Sequence, residues 1–261
     1  MDDHVNRFSN SRFSHKEQAR ERWFEHIWDD ELHDAFSDIA RYYDLANYVA
    51  SLGMWGWFRE RFLSMMDLQP GYKALDVCAG TNAIGIAMLE KQPNMEVQAI
   101  DRSEAMQEVG QKRSREKGLT IGSTIDDVHE LPFPDNHFDI ATLQYASRHL
   151  RVIEVFSEIR RVLKPGGHFY HCDMLRPANP LIETLHYQYL RASLTSTAML
   201  FGSGESARSL RRYFIDALRM FYSPAELSQL LRELGYEQVR SETFLSGIIG
   251  IHKAVKPARR A

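Results

Sequence analysis

From Lys73 onward the chain alternates short apolar, β-branched runs with stretches of helical periodicity. That alternation narrows the fold more than any other feature, because strands separated by helices pair in parallel through crossovers. Strands are predicted over Ala74 to Cys78, Glu96 to Ile100, Phe138 to Leu143 and Gly167 to Asp173. Helices are predicted over Ile84 to Lys91, Glu104 to Lys117 and Ile153 to Leu163, the last closed by a turn at Lys164-Pro165-Gly166-Gly167. The chain then reads as a helix from Ser223 to Leu234, a stop at Gly235, and strands near Gln238 to Phe244 and Gly247 to Lys253. The expected fold is therefore α/β, a Rossmann-like doubly wound sheet.

What precedes the sheet is helical. Trp23, Phe24, Ile27 and Trp28 fall near helical spacing, and from Ala35 to Met66 two helices are expected around a turn at Ser51-Leu52-Gly53, with Pro70-Gly71 ending this preface. The expected organisation is an N-terminal helical extension over 1–70 and a ligand-binding α/β domain over 71–261. That domain carries a helical insertion about 175–220 that serves as a substrate lid. At 261 residues the chain fits one core with an extension. With 32 Lys plus Arg against 35 Asp plus Glu, it has no general attraction for nucleic acid, so a nucleic-acid partner is not expected. Cys78 and Cys172 form no CxxC pair, which argues against a disulfide scaffold or thiolate metal site. His168, His171 and Asp173 alternate on a strand, but such a cluster is more often structural, and no metal is expected. The first residues lack the apolar core of a signal peptide, and no apolar run reaches membrane-spanning length; the expected compartment is cytoplasmic. Oligomeric state is left open.

The chemistry concentrates where Leu75-Asp76-Val77-Cys78-Ala79-Gly80-Thr81-Asn82-Ala83-Ile84 places a strand end, a glycine turn and a helix start in succession. Open α/β sheets bind ligands outside the carboxyl ends of their strands, and Gly80 lets backbone approach a ligand closely. The next strand ends at Asp101, 25 positions after Asp76, where a carboxylate can accept hydrogen bonds from a ribose diol. A dinucleotide needs G-x-G-x-x-G to admit its pyrophosphate, whereas this loop keeps only Gly80 of that spacing. Adenosylmethionine carries the ribose without the phosphates, so the loop favours it. Asp126 or Asp127, in the run before Phe138, can bond an adenine amino group.

Together, LDVCAGT, AIDRSEAM, LPFPDNHFD and RVLKPGG resemble the class I adenosylmethionine-dependent methyltransferases. The flanks narrow this. Phe36-Ser37-Asp38-Ile39-Ala40, Tyr43-Asp44, Asn47, Ser51 and Gly53 are similar to the N-terminal helices of the ubiquinone/menaquinone biosynthesis C-methyltransferases, and Ser246 to Lys253 with Lys256-Pro257 to their ending. The resemblance covers about Ala35 to Pro257. It implies S-adenosyl-L-methionine as cofactor, contacted by Asp76, Cys78, Ala79, Gly80, Thr81, Asn82, Asp101, Arg102, Met106, Asp126, Asp127, Val128 and Gln144. It further implies C-methylation of a quinol ring, with a small-molecule, lipid-tailed substrate and peripheral contact with a membrane.

This chain departs from the family where Asn82 and Ala83 replace a glycine and an acidic residue, where Cys78 replaces a small residue, and where Trp55 and Phe58 replace His and Trp near the presumed quinone entrance. Asn tolerates a left-handed backbone, so the turn is expected to survive. A family segment appears as Tyr145-Ala146-Ser147-Arg148-His149, which makes Arg148 and His149 the expected groups near the methyl acceptor. Arg148 is expected to stabilise a phenolate, with His149, Asp173 or a water held by them as the base. Met199, Leu200 and Phe201 beside Gly202 and Gly204 read as a mobile lid, and Arg208, Arg211 and Arg212 as a face for anionic lipid or a solvated face. Two other readings stand beside this one. One is a divergent adenosylmethionine-dependent enzyme acting on another small molecule, or replacing a ring substituent. The other is a non-catalytic scaffold of quinone biosynthesis.

Overall fold

In a computed structural model, residues 12–28, 32–200 and 205–258 are described. Their strands are β1 (Lys73–Val77), β2 (Glu96–Asp101), β3 (Gly122–Ile125), β4 (Phe138–Gln144), β5 (Leu163–Met174), β6 (Glu237–Phe244) and β7 (Ile249–Val255). They form one sheet in the order β3-β2-β1-β4-β5-β7-β6. β1 to β5 pair in parallel, while β7 runs antiparallel between β5 and β6. The doubly wound expectation holds, and β3 is an addition to it. The expected turn at Lys164 to Gly167 lies inside β5 as an irregularity: Phe138 pairs with Leu163, and the register shifts before Ile140 meets His168.

Both faces of the sheet are covered, which is why its central strands read as continuous apolar runs. Leu75 and Val77 of β1 join Leu143, Phe156, Phe169 and Leu230 on one side, and Ala74 joins Met88, Val97, Ile140 and Tyr170 on the other. The crossover helices are α5 (Ala83–Lys91), α6 (Glu104–Glu116) and α7 (Val152–Val162). α7 buries Val152, Val155, Phe156, Ile159 and Val162, one stripe at helical spacing, and a fully buried Phe or Ile contributes about 1.5–3 kcal/mol. α10 (Pro224–Glu233) starts on a capping box in which Ser223 and Glu226 satisfy each other's backbone N–H groups.

Before the sheet stand α1 (Arg12–His26), α2 (Leu32–Ile39), α3 (Tyr43–Ala50) and α4 (Trp55–Ser64). A 3-10 turn at Ala40–Tyr42 divides what the spacing reads as one helix. The insertion forms α8 (Pro180–Leu200) and α9 (Glu205–Met220). α3 packs on α8 and α1 on α9, so the N-terminal helices and the insertion close together over the carboxyl ends of the strands. The side chains of Met199, Leu200, Arg208 and Arg211, and residues Phe201, Gly202 and Gly204, lie outside the described residues.

Candidate active site

The strand order reverses between β1 and β4, and a crevice opens at their carboxyl ends. Cys78, just past β1, and Tyr145, just past β4, sit there with φ of 54° and 57°. A bulky residue in the left-handed region costs on the order of 1–3 kcal/mol and persists only where its surroundings hold it. Tyr145 is held by its N–H donating to Cys172 O at 2.8 Å and by Trp55, whose ring stacks on it at 4.7 Å and 25°.

Two cavities flank Tyr145. The smaller, about 130 Å³, is walled by successive strand ends: Cys78 and Gly80 after β1, Asp101, Arg102 and Met106 after β2, Asp127 and Val128 after β3, and Gln144 at the end of β4. The larger, about 610 Å³, lies under α2, α3, α4, α8 and α9 and is mostly apolar. Phe36, Tyr43 and Tyr145 line both. Trp55 and Phe58 line the larger one, where the sequence places the acceptor's entrance.

The cofactor loop is built from the inside. Asp76 is 2% exposed; Thr142 Oγ1 donates to its Oδ1 at 2.7 Å and the Gly85 N–H to its Oδ2 at 3.1 Å, so it ties β1 to β4 and to the start of α5. Burial raises its pKa to about 6. Asp101 accepts from the Gly80 N–H at 2.8 Å and the Ser103 N–H at 2.8 Å, which places its carboxylate on the cavity wall facing the glycine turn. A Cβ at Gly80 would meet nothing within 4 Å, leaving the backbone bare on that side. Asn82, the N-cap of α5, takes φ 56° and ψ 26°, so the turn survives as expected. Its Oδ1 accepts from Gln107 Nε2 at 2.8 Å, and the same nitrogen donates to Gly80 O at 3.0 Å. Thr81 Oγ1 donates to Asp44 of α3, to which Arg113 of α6 is also ion-paired.

Of the expected cofactor contacts, Cys78, Gly80, Asp101, Arg102, Met106, Asp127, Val128 and Gln144 therefore converge on one cavity. Asp76, Ala79, Thr81 and Asn82 shape the loop from behind, and Asp126 is exposed, its Oδ1 accepting from the Asp127 N–H at 2.8 Å. The fit to adenosylmethionine rests on the donor set. Asp101 offers a carboxylate and Asp127 another, and Gln144 closes the wall with its amide beside the Cys172 thiol. Cys78 has its thiol pKa pushed well up by burial and neighbouring carboxylates, so it serves as an apolar wall.

The expected catalytic trio divides. Arg148 lines the larger cavity; its guanidinium donates to Asp173 Oδ1 at 2.6 Å and to Tyr145 O at 2.9 Å. His149 lines the smaller cavity, not the acceptor's. Burial pushes its pKa well down, leaving it neutral, with Nδ1 at 2.5 Å from Tyr213 Oη. Asp173 departs from the expected role of base. It is fully buried and takes four donors: Arg148, the Met174 N–H at 2.7 Å, the Ser147 N–H at 2.8 Å and Ser147 Oγ at 2.5 Å. With its lone pairs so engaged it holds the Arg148 guanidinium in place.

Sequence reasoning gave no role to α1. Fully buried Arg20 donates to Arg148 O at 2.9 Å, and Glu17 Oε2 accepts the first N–H of α7, from Val152, at 2.7 Å. Trp28 roofs the smaller cavity, and its carbonyl accepts from Arg102 at 2.7 Å. The signal available was the Trp and Phe spacing before residue 30, which shows a packed helix without saying on what.

Residues 25–256 match the model of the ubiE/COQ5 methyltransferase family. The chain is 32% identical over 223 residues to a demethylmenaquinone methyltransferase of Corynebacterium glutamicum, covering 85% of this chain and 92% of that one. It is 28% identical to a ubiquinone/menaquinone biosynthesis C-methyltransferase UbiE of Ectopseudomonas mendocina, over 86% and 88% of the two chains. Among solved structures, a SAM-dependent methyltransferase from Aquifex aeolicus superposes with a TM-score of 0.54 at 18% identity, over 76% of this chain and 88% of that one.

Proposed function

The chain belongs to the ubiE/COQ5 methyltransferase family and is an adenosylmethionine-dependent methyltransferase, and from that premise we propose that it methylates a ring carbon of a quinol bearing an apolar tail. The observation that carries this reading is the pair of cavities meeting at Tyr145, one lined by Asp101 and the glycine turn, the other large, apolar and lined by the cation of Arg148. A ring with a long hydrocarbon substituent matches an aromatic and aliphatic wall in which Arg148 and Asp38 are the charged residues.

Bound adenosylmethionine supplies a methyl group on a positively charged sulfur. Asp101 takes the ribose hydroxyls, Asp127 the adenine amino group, and Cys78, Met106 and Val128 the apolar faces of the base. In the larger cavity Arg148 donates to a ring oxygen and favours its ionised form, which raises electron density at the ring carbon. Asp173 and the Tyr145 carbonyl fix the guanidinium, so little orientation is lost when the acceptor arrives. The intact left-handed turn at Asn82 supports cofactor binding and speaks against a non-catalytic scaffold.

The same reading extends to where the enzyme works. Leu52, Leu185 and Leu245 line the larger cavity yet are 74%, 59% and 48% exposed, and Tyr48, Trp57 and Leu181 beside them in the chain are exposed too. Such an apolar rim, with aromatic residues in it, suits contact with a bilayer from which a lipid-tailed quinol enters. No helix among the described residues is long and apolar enough to cross a membrane. In this reading the rim rests on a membrane surface. Arg212, 90% exposed on its side chain, lies on α9 and pairs with Asp216 at 3.5 Å.

The test is incubation with adenosylmethionine and an alkyl-tailed 1,4-naphthohydroquinone, with the product's structure read by NMR. A new carbon-bound methyl on the ring is expected. A methyl on oxygen, or exchange of a ring substituent for another group, refutes ring C-methylation. Co-sedimentation with anionic vesicles checks the rim: Leu52→Glu combined with Trp57→Glu should abolish binding, and undiminished binding rules the rim out.

A further inference from the structure

His129 stands in the wall of the smaller cavity, two residues after Asp127. Its side chain is 15% exposed, whereas that of Asp127 is 62% exposed and open to a ligand. Two donors of His129 converge on one oxygen of that carboxylate, its backbone N–H at 2.8 Å and its ring Nδ1 at 2.5 Å, both to Oδ1. On the far side of the ring, Nε2 lies 3.1 Å from the backbone nitrogen of Arg151, the N-cap of α7.

These contacts fix where the ring carries its proton. A backbone N–H only donates, so Nε2 accepts from Arg151 and bears no hydrogen; the proton is on Nδ1, which donates to Asp127. The imidazole thus spans two elements, joining the loop after β3 to the start of α7. Oδ1 of Asp127 is engaged twice, and Oδ2 is left for a ligand. A carboxylate as exposed as this one would otherwise sample several rotamers, and ordering a side chain at the moment of binding costs affinity. His129 does that ordering in advance.

Resting on the assignment of Asp127 to the adenine amino group, we propose that His129 is a positioning residue for cofactor recognition. As the Nδ1–H tautomer, braced by the N-cap of α7, it locks the Asp127 carboxylate in the orientation that reads the amino group. No proton moves and no covalent bond changes in this role. It sets how sharply the site tells adenine from a base without an exocyclic donor, and it leaves the Asp101 wall of the cavity as it is.

The experiment measures, by calorimetry on the full chain, the affinity for adenosylhomocysteine and for its 6-deamino analogue, in which hydrogen replaces the adenine amino group. Wild type should prefer adenosylhomocysteine about 10–100-fold, the worth of one hydrogen bond to a charged group. His129→Leu should cut that preference about fivefold and leave affinity for the analogue nearly unchanged, whereas a merely structural loss would weaken both ligands alike. His129→Asn, whose amide nitrogen stands where Nδ1 does, should keep most of the preference. If H129L does not fold, 15N NMR of the wild-type chain decides: the imidazole signals missing from H129N must show Nδ1 protonated and Nε2 bare. An unaltered preference in H129L, equal weakening of both ligands, a loss in H129N as large as in H129L, or a proton on Nε2 overturns the role of His129 alone. If wild type shows no preference, or Asp127→Ala keeps it in full, the assignment of Asp127 to adenine falls, and this proposal with it.

Discussion

Replacing Arg148 by alanine separates what the guanidinium does for the fold from what it does for the reaction. The side chain is 11% exposed and its partner Asp173 is 0% exposed, so truncation leaves a buried carboxylate without its cation. Breaking a buried pair from one side costs about 3–5 kcal/mol. Here three donors remain on Asp173, from Ser147 twice and from Met174, which places the cost near about 3 kcal/mol. For a chain of this size that lowers the melting temperature by about 6–12 °C. Loss of the charge that stabilises the ring oxygen should lower kcat by about 10²–10³. Arg148 lines the larger cavity and not the smaller, so adenosylhomocysteine affinity should stay within about twofold of wild type. Thermal unfolding, calorimetry and single-turnover methyl transfer below the variant's melting point read the three quantities separately. A kcat within about threefold of wild type, with the melting shift present, would refute the catalytic role and leave Arg148 as a brace.

Other consequences follow from neighbouring contacts. Asp101→Asn sets an amide N–H₂ against one of the two backbone donors the carboxylate now accepts, and should weaken cofactor affinity about 10–100-fold by calorimetry; a change below threefold would remove Asp101 from the ribose. Acid should destabilise the protein steeply. His171 and His252 have folded pKa values near about 3, His186 about 4, and His149 well below normal, all from burial, so the unfolded chain takes up protons that the native one refuses. Stability is then full above the unfolded histidine pKa and falls below it, by about 5 kcal/mol between pH 7 and about pH 5.5 for the four together. Asp76, raised to about 6, acts in the opposite sense and returns about 1 kcal/mol over that span. Urea unfolding at the two pH values checks the sum, and equal midpoints would show that these rings are not buried neutral. Arg20→Met should destabilise by about 3 kcal/mol and lower kcat more than cofactor affinity, because Arg20 holds the backbone of Arg148; an unchanged kcat would reduce α1 to packing.

The central sheet was legible because its strands are buried on both faces and so announce themselves as apolar runs; β1, β2 and β4 stand within a residue of where those runs place them. β3 was not, since Gly122-Ser123-Thr124-Ile125 is a half-exposed edge strand with no apolar alternation. The cofactor wall was legible through residue types fixed by local geometry, Gly80 in a turn and Asp101 at a strand end. The acceptor wall was not, because Tyr43, Trp55, Arg148 and His186 come from four separate elements and meet only through tertiary packing. Asp173 shows the converse: an acidic residue at a strand end looked available in the sequence, and the four donors that occupy it come from residues a linear reading cannot bring to it.

The loop at Asn82 has a consequence for descent. A Cβ at Gly110 would lie 2.7 Å from Asn82 Cγ and 2.9 Å from the backbone carbon of Thr81, so asparagine fits at 82 only opposite a glycine at 110. Asparagine in turn gives Gln107 a second acceptor that glycine would not. Because the Thr81 backbone also crowds that position, glycine at 110 is required whichever residue stands at 82. Once both are in place neither reverts freely: alanine at 110 collides with the amide, and glycine at 82 strands one N–H of Gln107. Three positions on one helix and a turn are inherited as a single character.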